Sequence, residues 1–294
     1  MPGTPANHAR RGSTAPEGPL TPLRNKWTLA GQPTGCRPRD PAVRASARME
    51  GMTRILARAL SADDLVALLD VDHAGGAVPA PSWRIEPGQR VAVLVDTLPR
   101  RPEGDTEDQV PVRRLESARW GLVPAGSPGP DQGPPLAEVP AESLASRPEL
   151  LPALVSRRAA VPVSGYYEHH ETDDGLRTPY LVGAGDGIVL LAALYEWWRD
   201  PSRAADDPAR WVLSCAVLTR PAAGTVEALA ERMPVVLSPD VVEEWLDPTA
   251  EGSPDLLRAV AAQAEDVIEE LAMDEVGPGV DQGAPDTAEL ARPV

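Results

Sequence analysis

Apolar positions along this chain come mostly as short, β-rich runs, with helical spacing in only a few places. Ser61 stands as an N-cap with Asp64 three positions on, and Leu65, Leu68 and Leu69 fall on one face, which predicts a short helix over 61–69. Residues 90–95 alternate poorly but are rich in β-formers. Strands are predicted there and over 114–123, 158–167, 178–182, 187–195 and 210–218. Two later segments, Ser238-Pro239-Asp240 and Ser253-Pro254-Asp255, each combine an N-cap, a proline at the first helical position and an acid in the first turn. They predict helices over 239–246 and 254–272. Residues 126–135 form a low-complexity Gly/Pro loop, and no internal repeat is visible. Strands in sequence with few helices between them argue for an α+β fold, a largely antiparallel sheet with helices packed outside.

Composition narrows the class. The 294 residues suit one domain with tails or two small domains, and 34 prolines with 24 glycines imply much irregular chain. No apolar run approaches the roughly 20 residues needed to cross a bilayer, and the opening residues lack a leader-like apolar core. Cys36 and Cys215 stand apart from each other and from histidine at ligand spacing, so neither a disulfide scaffold nor a zinc site is expected, and a reducing cytoplasm is the default. No cofactor or metal is expected. The chain carries 27 arginines against the single Lys26 and no Phe, a pattern of GC-rich coding in which over-long gene starts are common.

Charge divides the chain. Residues 1–50 hold eight basic and three acidic side chains without periodicity, and are expected to be a disordered basic tail or a mis-assigned start. Residues 51–294 hold 20 basic and 41 acidic side chains, a formal charge of −21 that repels phosphate. Nucleic acid would need a local basic patch working against that field, whereas a basic protein partner would be favoured by it.

Several segments then resemble, in order, those of the SOS response-associated peptidase (SRAP) family. Arg119-Trp120-Gly121-Leu122-Val123-Pro124 is similar to its Arg-Trp-Gly-Leu-Val-Pro strand end, and 160–168, ending Gly165-Tyr166-Tyr167-Glu168, to its Leu-Val-Pro-Ala-Asp-Gly-Phe-Tyr-Glu. Arg177-Thr178-Pro179-Tyr180, Ala193-Leu194-Tyr195-Glu196-Trp197, Val217-Leu218-Thr219, Arg232-Met233-Pro234 and the closing 289–294 follow. The resemblance implies one domain over 51–294 with a twisted, barrel-like sheet and peripheral helices, acting as a monomer. It also implies a partner, single-stranded DNA with abasic sites. In the family an amino-terminal Cys condenses with the ring-opened sugar aldehyde, its amine forming the imine and its thiol closing a thiazolidine, while Glu, His and Asn groups move protons.

Position by position, that chemistry is altered here. The nucleophile position holds Thr53, inert inside a chain but carrying an α-amine that can form an imine if Met52 is the start and is removed. The family's Asn becomes Glu138 and its phosphate-gripping Arg becomes Pro140; removing a hydrogen bond to a charged group costs about 1.5–3 kcal/mol. Glu168 keeps the family's acid position, as a working acid or as a hydrogen-bonded strand-end carboxylate. Ala230 replaces the histidine, and a missing general acid/base is worth roughly 10²–10⁴-fold in rate. Candidate nucleic-acid contacts are Arg54, Arg119, Trp120 and Arg232. Against these stand a core role for Trp120 beside Leu122 and Val123, and an ion pair of Arg232 with an acid such as Glu142. His169 and His170, neighbours on an extended chain, are expected to be exposed and to face opposite ways. These departures together predict a degenerate enzyme on an intact fold, with two alternatives: a noncovalent binding module using the old cleft, and an active abasic-site protein using Thr53.

Overall fold

Among the residues that the computed structural model describes (54–75, 77–99, 109–130, 135–172 and 174–294), the apolar runs condense into fourteen strands and five short helices. The expectations attached to residues 1–50 and to Thr53 lie outside the described residues. The first half contains β1 (Ile55–Arg58), α1 (Ala62–Leu68), β2 (His73–Ala74), β3 (Ser82–Ile85), β4 (Arg90–Thr97), β5 (Val112–Trp120) and β6 (Glu138–Pro140). Then come α2 (Leu151–Ser156), β7 (Arg158–Val163), β8 (Gly165–Glu171), β9 (Arg177–Gly183), β10 (Val189–Arg199) and β11 (Trp211–Pro221). The chain closes with β12 (Arg232–Pro234), β13 (Val236–Leu237), α3 (Val242–Leu246), α4 (Pro254–Ala262), α5 (Glu265–Glu269) and β14 (Ala272–Glu275).

The fold is α+β, and its centre is a five-stranded closed barrel. Antiparallel pairings run β11–β10–β7–β4–β5, and β5 returns to β11 in parallel through Ser214↔Arg119 and Cys215↔Trp120. A second sheet, ordered β14-β9-β8-β1-β3 and antiparallel throughout, packs against it. β4 is apolar on both faces from Val91 to Val95, which is why 90–95 alternates poorly. Val91, Val93 and Val95 join one core cluster, while Ala92 and Leu94 join another that the helix residues Leu65, Trp245 and Leu257 complete.

Local chemistry explains several boundaries. Ser61 and Asp64 form a reciprocal capping box at α1, and Ser253 caps α4 through the Leu256 amide. The predicted strand 158–167 is two strands in two sheets, broken at Ser164. There Gly165 and Gly183 are register partners, and a Cβ on Gly183 would lie 2.2 Å from the Ser164 carbonyl oxygen. Strand 114–123 stops at Trp120 because Gly121 takes φ +139°, closed to side-chain-bearing residues. The helix expected over 239–246 begins only at Val242, since the Val241 and Val242 amides both turn back to the Ser238 carbonyl. The one expected over 254–272 is α4, α5 and then strand β14, because Ala272–Glu275 pairs with β9 instead of continuing the helix.

Candidate functional site

Arg54, at the entrance to β1, brings three distant strands together. Its Nε donates to Glu168 on β8, its Nη1 lies 2.9 Å from Glu138 Oε2 on β6, and its Nη2 donates to the Arg232 carbonyl on β12. The topology makes this meeting unavoidable. β1 pairs with β8 through Leu56↔Tyr166, whereas β6 and β12 both flank β11, so Arg54 sits where the second sheet meets the barrel wall. Its guanidinium carbon stands 5.8 Å from the Tyr166 ring centre.

Burial sets the electrostatics. Desolvation pulls the Arg54 pKa down, but Glu138 and Glu168 outweigh it and hold the guanidinium above its ordinary value. Burial pushes the Glu168 carboxyl up and Glu138 adds to this, against the lowering pull of Arg54, so Glu168 takes a proton more readily than an exposed glutamate. Burial likewise raises the Tyr166 phenol, which remains a donor at any working pH. Two polar atoms of the cluster, Glu138 Oε1 and Tyr166 Oη, are sealed from solvent without a hydrogen-bond partner among the described residues.

Around this centre the other candidates divide. Arg232 pairs with Glu142, Nη1 to Oε1 at 2.6 Å, and also donates to the Thr219 carbonyl at 3.0 Å; its hydrogen bond holds the Glu142 carboxyl below the usual range. Ala230 lies two residues before Arg232 in a loop, half-buried, and its methyl group offers no proton. Arg54, expected to face DNA, is instead turned inward with its side chain 9% exposed. Trp120 is fully buried and its indole donates to the Ala137 carbonyl at 2.9 Å, so it presents no ring to a base. Arg119 Nη1 donates to the Gly88 carbonyl at 2.8 Å. His169 and His170 are half-buried and not exposed, and His169 Nε2 lies 2.9 Å from Asp281 Oδ2. Cys215 is buried in the barrel, its thiol pushed up to about 12.

Chemically, the cluster offers an acid with a raised pKa, Glu168, a carboxylate beside it, and a guanidinium bridging the two. Elsewhere a concavity of about 590 Å³ is lined by residues that include Asp70, Asp72, Asp96, Glu243 and Arg113, with Arg113 held between Asp96 and Glu243. No group of three or more His, Cys, Asp or Glu side chains poised for a metal occurs among the described residues, nor any helix long and apolar enough to cross a membrane. Tyr166 was missed as a site residue. The signal was present, since a tyrosine stands where the resembling segment carries phenylalanine, and the added hydroxyl is the atom left unpaired.

Known proteins share this arrangement of strands. The family profile described as SOS response associated peptidase (SRAP) matches residues 52–282. Abasic site processing protein YoqW of Bacillus subtilis is 26% identical over 181 residues, covering 61% of this chain and 72% of its own length. Abasic site processing protein YoaM of the same organism is 26% identical over 200 residues, covering 67% and 80%. Among solved structures, a protein from Bacteroides thetaiotaomicron superposes with a TM-score of 0.63 at 14% identity, over 82% of this chain and 99% of that one. A Bordetella bronchiseptica protein gives 0.54 at 18%, over 76% and 100%; at such identities the likeness is one of fold.

Proposed function

Because the chain belongs to the SOS response associated peptidase (SRAP) family, we propose that it is a divergent abasic-site protein that still accommodates single-stranded DNA but has weak or lost cross-linking and self-processing. The observation that carries this reading is the clasp of Arg54 between Glu138 and Glu168. Arg54 favours the ionised form of Glu168, against the burial that raises its pKa, and occupies the carboxylate oxygen that would otherwise carry the proton. With Ala230 in place of a histidine, the imidazole that the resembling segment would bring to proton transfer is missing. Glu138, where the resembling segment has Asn, takes a cation that would otherwise face phosphate.

The test uses protein beginning at Thr53 and single-stranded DNA containing one abasic site, followed on denaturing gels. The expected result is no stable adduct, or one formed over hours at low yield. A rapid stoichiometric adduct overturns the reading and supports the alternative in which the Thr53 α-amine does the chemistry. Thr53→Cys combined with Ala230→His is expected to restore part of the lost rate.

A second reading, a noncovalent module for a basic partner, draws on the carboxylates around Arg113 and on the formal charge of −21 over residues 51–294. Salt-sensitive binding of a basic peptide that Glu243→Gln weakens supports it; tight binding of DNA alone argues against it.

A further inference from the structure

The far end of β10 and β11 carries two large aromatic side chains in water. Trp197 is 45% exposed and Trp211 44%, unlike the fully buried Trp120 and Trp245. The strands pair without interruption there, Trp197↔Leu213 and Arg199↔Trp211. Residues opposite one another, and residues two apart, share a face of the ribbon. Trp197, Arg199 and Trp211 therefore stand on one face, the two indoles as diagonal neighbours with Arg199 opposite Trp211 and two positions along from Trp197. Arg210 adds a second cation, 5.3 Å above the Trp211 ring.

Ion pairing leaves the two cations of this patch available. Arg54, Arg113 and Arg232 are all neutralised by carboxylates. In the turn joining the two strands, Asp200 and Asp207 both face Arg203. Arg199 and Arg210 meet no carboxylate among the described residues. Exposed indoles beside guanidiniums that no carboxylate pairs fit a chain of stacked planar groups linked by negative charges, with Asp200, Asp206 and Asp207 confined to the adjoining turn. We infer that this face is a stacking platform for single-stranded nucleic acid, distinct from the Arg54 cluster. Residues 211 to 219 of β11 separate the two, roughly 26 Å at strand rise. The platform does not depend on abasic-site chemistry and survives its loss.

The experiment titrates the full chain with labelled oligothymidylate lacking any abasic site and reads anisotropy against salt. Trp197→Ala and Trp211→Ala are each expected to weaken binding roughly 5- to 100-fold, with Phe at either position recovering part of it. Arg199→Ala is expected to lower the salt slope by about 0.7. Parental affinity in the Trp197→Ala/Trp211→Ala double variant overturns the proposal. So does sedimentation showing that the double substitution converts a dimer into a monomer, which makes the face a self-association surface. Adducts with abasic DNA, scored separately, report on the Arg54 cluster and leave this result independent of it.

Discussion

Arg54 and Glu168, 114 positions apart in the chain, are joined by a hydrogen bond from guanidinium to carboxylate. With Glu138 on the other side of the same guanidinium, one cation balances two carboxylates that are each less than a fifth exposed. Arg54→Ala strands both of them, and a cost of about 3 kcal/mol in urea unfolding is expected. Adding Glu138→Gln and Glu168→Gln recovers much of that loss. A cost below about 1 kcal/mol for Arg54→Ala alone means the carboxylates are well hydrated without it.

Tyr166 gives the opposite expectation. Its hydroxyl is buried without a partner among the described residues, so Tyr166→Phe removes a desolvated group and leaves the ring packing intact. Stability is expected to stay level or rise by about 1 kcal/mol in thermal unfolding. A clear loss shows that the hydroxyl is paired in solution, for instance through water shared with Glu138.

Much of the scaffold was legible in the sequence, because local rules act locally. The capping box at Ser61 and Asp64 needs four residues, and the strands over 178–182 and 210–218 need only β-rich runs bounded by turns. The Glu142 partner of Arg232 was also among the expectations. What the sequence hid is set by pairing across distance. Nothing near Arg54 announces Glu138 and Glu168, which lie 84 and 114 positions away. Nothing in 158–167 but one serine and one glycine marks the passage from barrel to second sheet. Helical periodicity over 254–272 is realised as α4 and α5, through Glu269, and only Ala272 at its end is taken into β14 by pairing with β9.

Gly183 tests that passage. A methyl group there would meet the Ser164 carbonyl at 2.2 Å and the Gly165 Cα at 3.0 Å, all backbone atoms with no freedom to swing away. Gly183→Ala is expected to cost about 3 kcal/mol and to disturb the strand that carries Glu168. Near-parental stability in a melting experiment refutes the close approach of β8 and β9.

His169 links stability to pH. Burial depresses its pKa below 6.5, outweighing the favourable Asp281, so the fold prefers the neutral imidazole. The unfolded chain binds the proton more readily. This contribution is therefore complete above pH 6.5 and is lost as pH falls from 6.5 through the folded value. His169→Gln is expected to flatten the stability profile in that window, measured by denaturant unfolding across pH 5 to 8; an unchanged slope contradicts it.

The seam between β5 and β11 governs how the chain folds. Every other junction of the barrel is antiparallel, but Arg119 and Ser214 come together only after β7 and β10 have taken their places between them. Closing a loop that long is entropically slow, so folding is expected to pass through an open, curled sheet in which the Arg119–Trp120 end of β5 and the Ser214–Cys215 stretch of β11 are not yet joined. Until they join, each is an open strand edge with which another chain can pair, and the hazard ends when the ring shuts.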